Sequence, residues 1–177
     1  MSIDFEIKNS KTIEGLKIIE PSVSTDSRGN IWTSFLKEEL DSLLPEDLIF
    51  KHDKFSLSEN NVLRGIHGDN KSWKLVTCVY GEVLQVVVDL RKDSLTYQKW
   101  EKFLVSKDNQ ILILLPPGLG NAYYVLSHQA VYHYKLAYNG EYFDSNEQFT
   151  YKWDDERLDI DWPVKKPILS PRDNFSD

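Results

Sequence analysis

One cysteine and one methionine occur among 177 residues. Cys78 lies in the apolar run Leu75-Val76-Thr77-Cys78-Val79 and has no second thiol for an intrachain disulfide, so it reads as buried filler. No apolar run approaches the ~20 residues of a membrane-spanning helix. The N-terminal stretch carries Asp4, Glu6, Lys8 and Lys11 where a secretory leader would be continuously apolar. These absences predict a soluble, cytoplasmic protein. Positive charge is in deficit, with 21 Lys and Arg against 28 Asp and Glu and a net charge of -7, so nothing in the overall field favours nucleic acid or an anionic membrane. An anionic small molecule would need a locally basic pocket. No repeat, low-complexity tract or Gly/Ser/Pro linker divides the chain, and 41% hydrophobic residues are enough for a sizeable core. Residues 1–177 therefore read as a single domain.

What is abundant is β-branched and aromatic sequence in short runs. Strands are predicted at 16–19, 31–35, 48–57, 74–79, 83–90, 99–105, 111–115, 122–126, 130–137 and 148–153. Tyr80-Gly81-Glu82 and Ser106-Lys107-Asp108-Asn109 read as turns. Helix is expected over 37–44, with a further short helix near Glu156. Many short strands with close-spaced turns predict an all-β jelly roll or barrel. Val86-Val87-Val88 predicts a strand covered on both faces.

Chemistry concentrates at Leu63-Arg64-Gly65-Ile66-His67 and the following Lys74-Leu75-Val76, which place a potential base beside cations. Pro116-Pro117-Gly118, the tyrosine-rich stretch around Tyr134 and the terminal Ser170-Pro171-Arg172-Asp173 supply its setting. A hydrogen next to a ketone can be removed when a base meets it and the enolate oxygen meets positive charge, and imidazole titrates near neutrality. That combination points to an epimerase.

With Asp26-Ser27-Arg28-Gly29, Val88-Asp89-Leu90-Arg91, Trp153-Asp154-Asp155 and Asp161-Trp162-Pro163, these blocks run along nearly the whole chain. In that order the sequence resembles the dTDP-4-dehydrorhamnose 3,5-epimerase family of cupin-type jelly rolls. The resemblance implies His67 as the base with Asp173 as its orienting carboxylate, Lys74 facing the 4-keto oxygen, and Tyr134 as the acid that reprotonates the opposite face. Arg64 and Arg28 are similar to family arginines that hold the diphosphate, Arg28 reaching across from a second subunit. That implies a homodimer, cyclic twofold symmetry being the commonest arrangement. A metal-dependent cupin would need several convergent imidazoles, and His52, His67, His128 and His133 contain no His-x-His pair. No metal and no cofactor are expected.

The departures from that family carry their own reading. Gly68 and Asp69 stand where a tyrosine and a glutamine usually follow the histidine, Asn121 replaces a histidine after Pro-Pro-Gly, and His52 and Lys54 replace residues that help bind thymidine. These substitutions resemble a narrower branch acting on GDP-linked 4-keto heptoses for bacterial capsular polysaccharide, in which the space left at Gly68 would take the extra carbon. His52, Lys54 and Asn121 join the substrate-binding candidates on that ground. The alternatives are a dTDP-4-keto-6-deoxyglucose 3,5-epimerase and a non-catalytic cupin-fold module that binds sugar nucleotides.

Overall fold

The computed structural model describes residues 3–174, and the ends of the expected 1–177 domain lie outside the described residues. Thirteen strands form among them: β1 (Phe5–Asn9), β2 (Lys17–Pro21), β3 (Val23–Asp26), β4 (Gly29–Trp32), β5 (Phe50–Glu59), β6 (Leu63–Gly68), β7 (Trp73–Tyr80), β8 (Glu82–Asp89), β9 (Trp100–Ser106), β10 (Leu112–Leu115), β11 (Leu119–Val125), β12 (Gln129–Ala137) and β13 (Phe149–Thr150). A six-stranded sheet in the order β1-β2-β10-β7-β12-β5 faces a five-stranded sheet in the order β13-β6-β11-β8-β9. From β6 onward the chain alternates between the two for most of its length, and every ladder is antiparallel, the arrangement of a jelly roll. Strands β3 and β4 form a separate hairpin.

The core lies between the sheets. Val76 and Cys78 of β7, Val83 and Val87 of β8, and Tyr123 and Tyr132 of β11 and β12 share one buried cluster. The consecutive valines of β8 are all fully buried, because period-2 geometry sends Val87 inward while Val86 and Val88 point to the outer face. There Leu158, Trp100, Phe149 and Tyr151 cover them. Each such valine contributes about 1.5–3 kcal/mol of hydrophobic burial. Cys78 is a free, buried thiol whose burial pushes its pKa up to about 11.

The outer face of the larger sheet is roofed by the segment after β4. Its helix α1 (Lys37–Leu40) is short and continues as a tighter turn at Asp41–Leu43 instead of running on to Leu44. Asp41 explains the stop: its carboxylate accepts from Phe50 N–H (3.1 Å), tying the helix end to β5, and Pro45 follows. Leu40 and Leu44 fill against Ile19, Leu75 and Leu112.

No helix forms near Glu156. Asp155 there accepts from Arg157 N–H (3.0 Å), Asp159 turns left-handed at φ 47°, and the chain makes turns that deliver Leu158 to the core. The expected strand over 148–153 shrinks to Phe149–Thr150, and β1, β3 and β6 are strands that the alternation of apolar residues did not announce. No helix among the described residues is long and apolar enough to cross a membrane.

Candidate active site

His67 owes its position to an irregularity. Asn121 of β11 lies opposite His67, yet Tyr123, two residues on, lies opposite Arg64, three residues back along β6. The extra residue is a bulge, and it brings Arg64 and His67, which strict alternation would send to opposite faces, to the same cleft. Gly65 sits in the bulge at φ 117°, and a Cβ there would lie 2.5 Å from Asn121 O and 2.7 Å from Ala122 Cβ.

Asp173 closes on His67 from the C-terminal segment. That segment is strapped along β6, with Leu63 N–H on Ile168 O (3.0 Å) and Ile168 N–H on Asn61 O (2.8 Å), so Asp173 is 2% exposed although it lies close to the chain end. Its Oδ1 hydrogen-bonds His67 Nε2, and its Oδ2 accepts from Ser170 Oγ (2.8 Å). Burial would raise the Asp173 pKa, but hydrogen bonds from His67 and Ser170 and the charge of the imidazole prevail and hold it below the usual carboxylate value. An ionised Asp173 accepts the Nε2 proton, which leaves Nδ1 as the basic nitrogen.

The opposite wall belongs to the larger sheet. Tyr134 of β12 lies in register between Lys54 of β5 and Val76 of β7, half-buried, its ring edge-on to Tyr132 at 4.9 Å. Burial first, with the neighbouring Tyr123, drives its pKa well above 10, so the phenol keeps its proton. Tyr132 stacks in turn on Tyr123 at 4.2 Å. Lys74 of β7 is buried, its Nζ 3.0 Å from Asp69 Oδ2.

Around these groups the cleft encloses about 270 Å³ and is lined by four basic side chains, Lys54, Arg64, Lys74 and Arg172, against the single carboxylate of Asp173. A chain of net negative charge thus holds a basic pocket suited to an anionic ligand. Arg64 donates through Nε to Ser58 Oγ (2.9 Å). Arg172 donates to Thr150 Oγ1 (2.8 Å), while its Nη2 finds no hydrogen-bond partner among the described residues. Asn121 lines the floor and accepts from the buried Gln85 (2.9 Å).

The structure therefore brings together His67, Asp173, Lys74, Tyr134, Arg64, Asn121 and Lys54, and leaves two candidates aside. His52 does not line the cleft; it bonds Tyr138 OH through Nδ1 (3.2 Å) and packs edge-on to Tyr142, which does line it. Arg28 is 88% exposed on the β3–β4 hairpin, bonded to Asp26, and forms no part of the cleft within this chain. Gly68 offers no vacant space: a Cβ there would lie 2.3 Å from Phe149 Cζ and 2.4 Å from Leu119 O. The volume expected to admit a heptose carbon is filled by a phenyl ring. Sequence reasoning assigned no role to Asp69, Gln148 or Arg172. Arg172 adjoins Asp173 in Ser170-Pro171-Arg172-Asp173, and that adjacency is the sequence signal that marks it as a cation of the site.

Antiparallel jelly-roll topology and a His-Asp pair opening into a basic cleft define a cupin-type protein whose site is suited to moving a proton on an anionic ligand. The family model for dTDP-4-dehydrorhamnose 3,5-epimerase matches residues 10–176. The chain is 38% identical over 165 residues to the dTDP-4-dehydrorhamnose 3,5-epimerase of Escherichia coli K12, covering 91% of this chain and 88% of that one. It is 34% identical to the dTDP-4-dehydrorhamnose 3-epimerase of Streptomyces niveus, over 91% of this chain and 78% of the relative. Among solved structures, the dTDP-6-deoxy-D-glucose-3,5-epimerase of Legionella pneumophila in complex with dTDP-4-keto-L-rhamnose superposes with a TM-score of 0.86 at 36% identity, covering 96% of this chain and 90% of that one. The chain belongs to the dTDP-4-dehydrorhamnose 3,5-epimerase family.

Proposed function

We propose that this enzyme inverts C3, and C5 as a second centre, of a dTDP-linked 4-keto-6-deoxy sugar through an enolate, without a metal. The observation that carries the reading is the placement of His67 and Tyr134 on opposite sheets across one cleft, with Lys74 between basic neighbours. His67 Nδ1 takes the C3 proton while the C–H electron pair moves into the C3–C4 bond and negative charge collects on the 4-oxygen. The Lys74 ammonium stabilises that oxygen. Tyr134 then gives its phenolic proton to C3 from the other face, and exchange with solvent restores both groups. Arg64, Arg172 and Lys54 would hold the diphosphate, guanidinium forks being matched to phosphate oxygens.

The dTDP-linked substrate is favoured by the names of the relatives. A GDP-linked 4-keto heptose loses its size argument with the filled space at Gly68, and what remains for it is His52 and Lys54 beside Tyr142. The reading includes a homodimer in which Arg28 reaches the cleft of a second copy. Its support is the exposed hairpin that bears Arg28, on which Ile31 is also exposed. Incubation with dTDP- and GDP-linked 4-keto sugars in deuterated buffer, followed by NMR, tests the whole proposal. Deuterium at C3 of the dTDP-linked sugar supports it. Exchange confined to the GDP-linked sugar replaces the substrate, and no exchange with either leaves a binding module.

A further inference from the structure

Asp69 has no part in the mechanism above, yet it is the anion that meets Lys74. It follows His67 by two residues, in the turn between β6, which bears the base, and β7, which bears the lysine. Its side chain is 1% exposed and that of Lys74 10%. Asp69 Oδ1 accepts from the backbone N–H groups of Lys71 (2.9 Å) and Ser72 (2.5 Å), and its carbonyl accepts from Gly118 N–H (2.8 Å) in the Pro-Pro-Gly turn. The carboxylate is thus fixed by backbone, and its Oδ2 lies 3.0 Å from Lys74 Nζ. The other charged groups acting on Lys74 are Arg172 from the C-terminal segment and Lys54 from β5, both cations, while the His67–Asp173 pair and Tyr134 line the same cleft.

A buried ammonium between two other cations has no reason to stay protonated unless an anion adjoins it. On the enolate reading of this site, we infer that Asp69 is a positioning residue that keeps Lys74 charged and aimed at the 4-oxygen of the sugar. Burial depresses the Lys74 pKa and Asp69 opposes that depression, while the Asp69 pKa, raised by burial, is brought below its usual value by Lys74 and the turn N–H groups. Asp69 acts only through Lys74, so its contribution belongs to turnover and not to substrate binding.

Asp69→Asn keeps the size and the turn acceptor and removes the charge. Its kcat should fall ~10- to 100-fold with KM changed by less than ~3-fold, and the alkaline limb of the pH–kcat profile should move to lower pH as Lys74 deprotonates earlier. In a Lys74→Met background the same substitution should change kcat by less than ~2-fold. Wild-type kcat with an unmoved alkaline limb in Asp69→Asn, or an equal loss with and without Lys74, overturns the inference. NMR titration of the 13Cε of Lys74 needs no substrate and separates this inference from the enzymatic reading. A protonated Lys74 at pH 7 in the wild-type protein, turned neutral or markedly less basic by Asp69→Asn, upholds it even if no keto sugar is turned over. A neutral Lys74 in the wild-type protein at that pH defeats it, whether or not the variant folds.

Discussion

Two buried aspartates, Asp89 and Asp173, differ in one respect that separates stability from chemistry. Asp89 is 0% exposed and Asp173 2%, and both are held below the ordinary carboxylate pKa. Asp89, at the end of β8, is saturated by groups of the turn that follows: Arg91 through its N–H, Nε and Nη2, Ser94 Oγ (2.6 Å) and Thr96 Oγ1 (2.6 Å). Burial alone would raise its pKa, and these donors bring it down to about 2. Nothing in that set can give up a proton near neutral pH. Asp173 instead ends on an imidazole that is 24% exposed to the cleft. Equal burial therefore yields a clasp in one place and, on the proposed reading, the support of a catalytic imidazole in the other. What differs is the titratable partner that faces the solvent.

The comparison breaks first at Asp173. Asp173→Asn preserves shape but can no longer fix the tautomer with Nδ1 free, and turnover should fall ~100-fold or more with thermal stability altered much less than activity. Steady-state kinetics beside a melting curve checks this, and an active Asp173→Asn would put Asp173 in the same structural category as Asp89. Next comes Tyr134→Phe, which removes only the donor on the far wall. Epimerised product should drop ~10- to 100-fold while hydrogen wash-out by His67 persists with retention of configuration, a split that a folding defect could not produce.

At Asp89 the sign of the pH effect can be worked out. A carboxylate whose folded pKa is lowered from 3.8 to about 2 contributes stability that is complete above its unfolded value and disappears as pH falls through that window. The contribution is about 2 kcal/mol, so Asp89→Asn should lower Tm by ~5 °C at neutral pH and converge on the wild-type protein as pH approaches the lower value. Its kcat should be unaffected. The smallest effect on activity is expected at Gly68: Gly68→Ala must displace both Phe149 and the backbone at Leu119, costing about 1–3 kcal/mol of stability, without altering which sugar is accepted. A changed sugar preference would return Gly68 to the pocket.

The sequence was most legible where burial and period agree. Val86-Val87-Val88 announced a strand covered on both faces because three successive valines put apolar side chains on each face in turn. The strand β6 was hidden because its bulge and its Arg-Gly interruption break the alternation that reveals a strand, and the same break places His67 and Arg64 together. Acidic turn residues around Glu156 imitated the start of a helix, but Asp155 satisfies its own turn instead. At the site, residue types marked a histidine beside cations and the family resemblance assigned roles to His67, Lys74 and Tyr134, whereas Asp69 required the fold. Its meaning lies in a 3.0 Å approach to a lysine on the next strand, and no spacing rule distinguishes that from a solvated turn aspartate. Arg28 shows the converse, a motif arginine that this chain alone does not bring to its own cleft.

The central claim is that His67, held by Asp173, removes the proton beside the ketone. Wild-type protein and His67→Asn are incubated with a dTDP-linked 4-keto-6-deoxy sugar in deuterated buffer, and deuterium entering C3 is followed by NMR. The account predicts exchange by the wild-type protein and a loss of at least ~100-fold in a folded His67→Asn. Exchange by His67→Asn at the wild-type rate would contradict it.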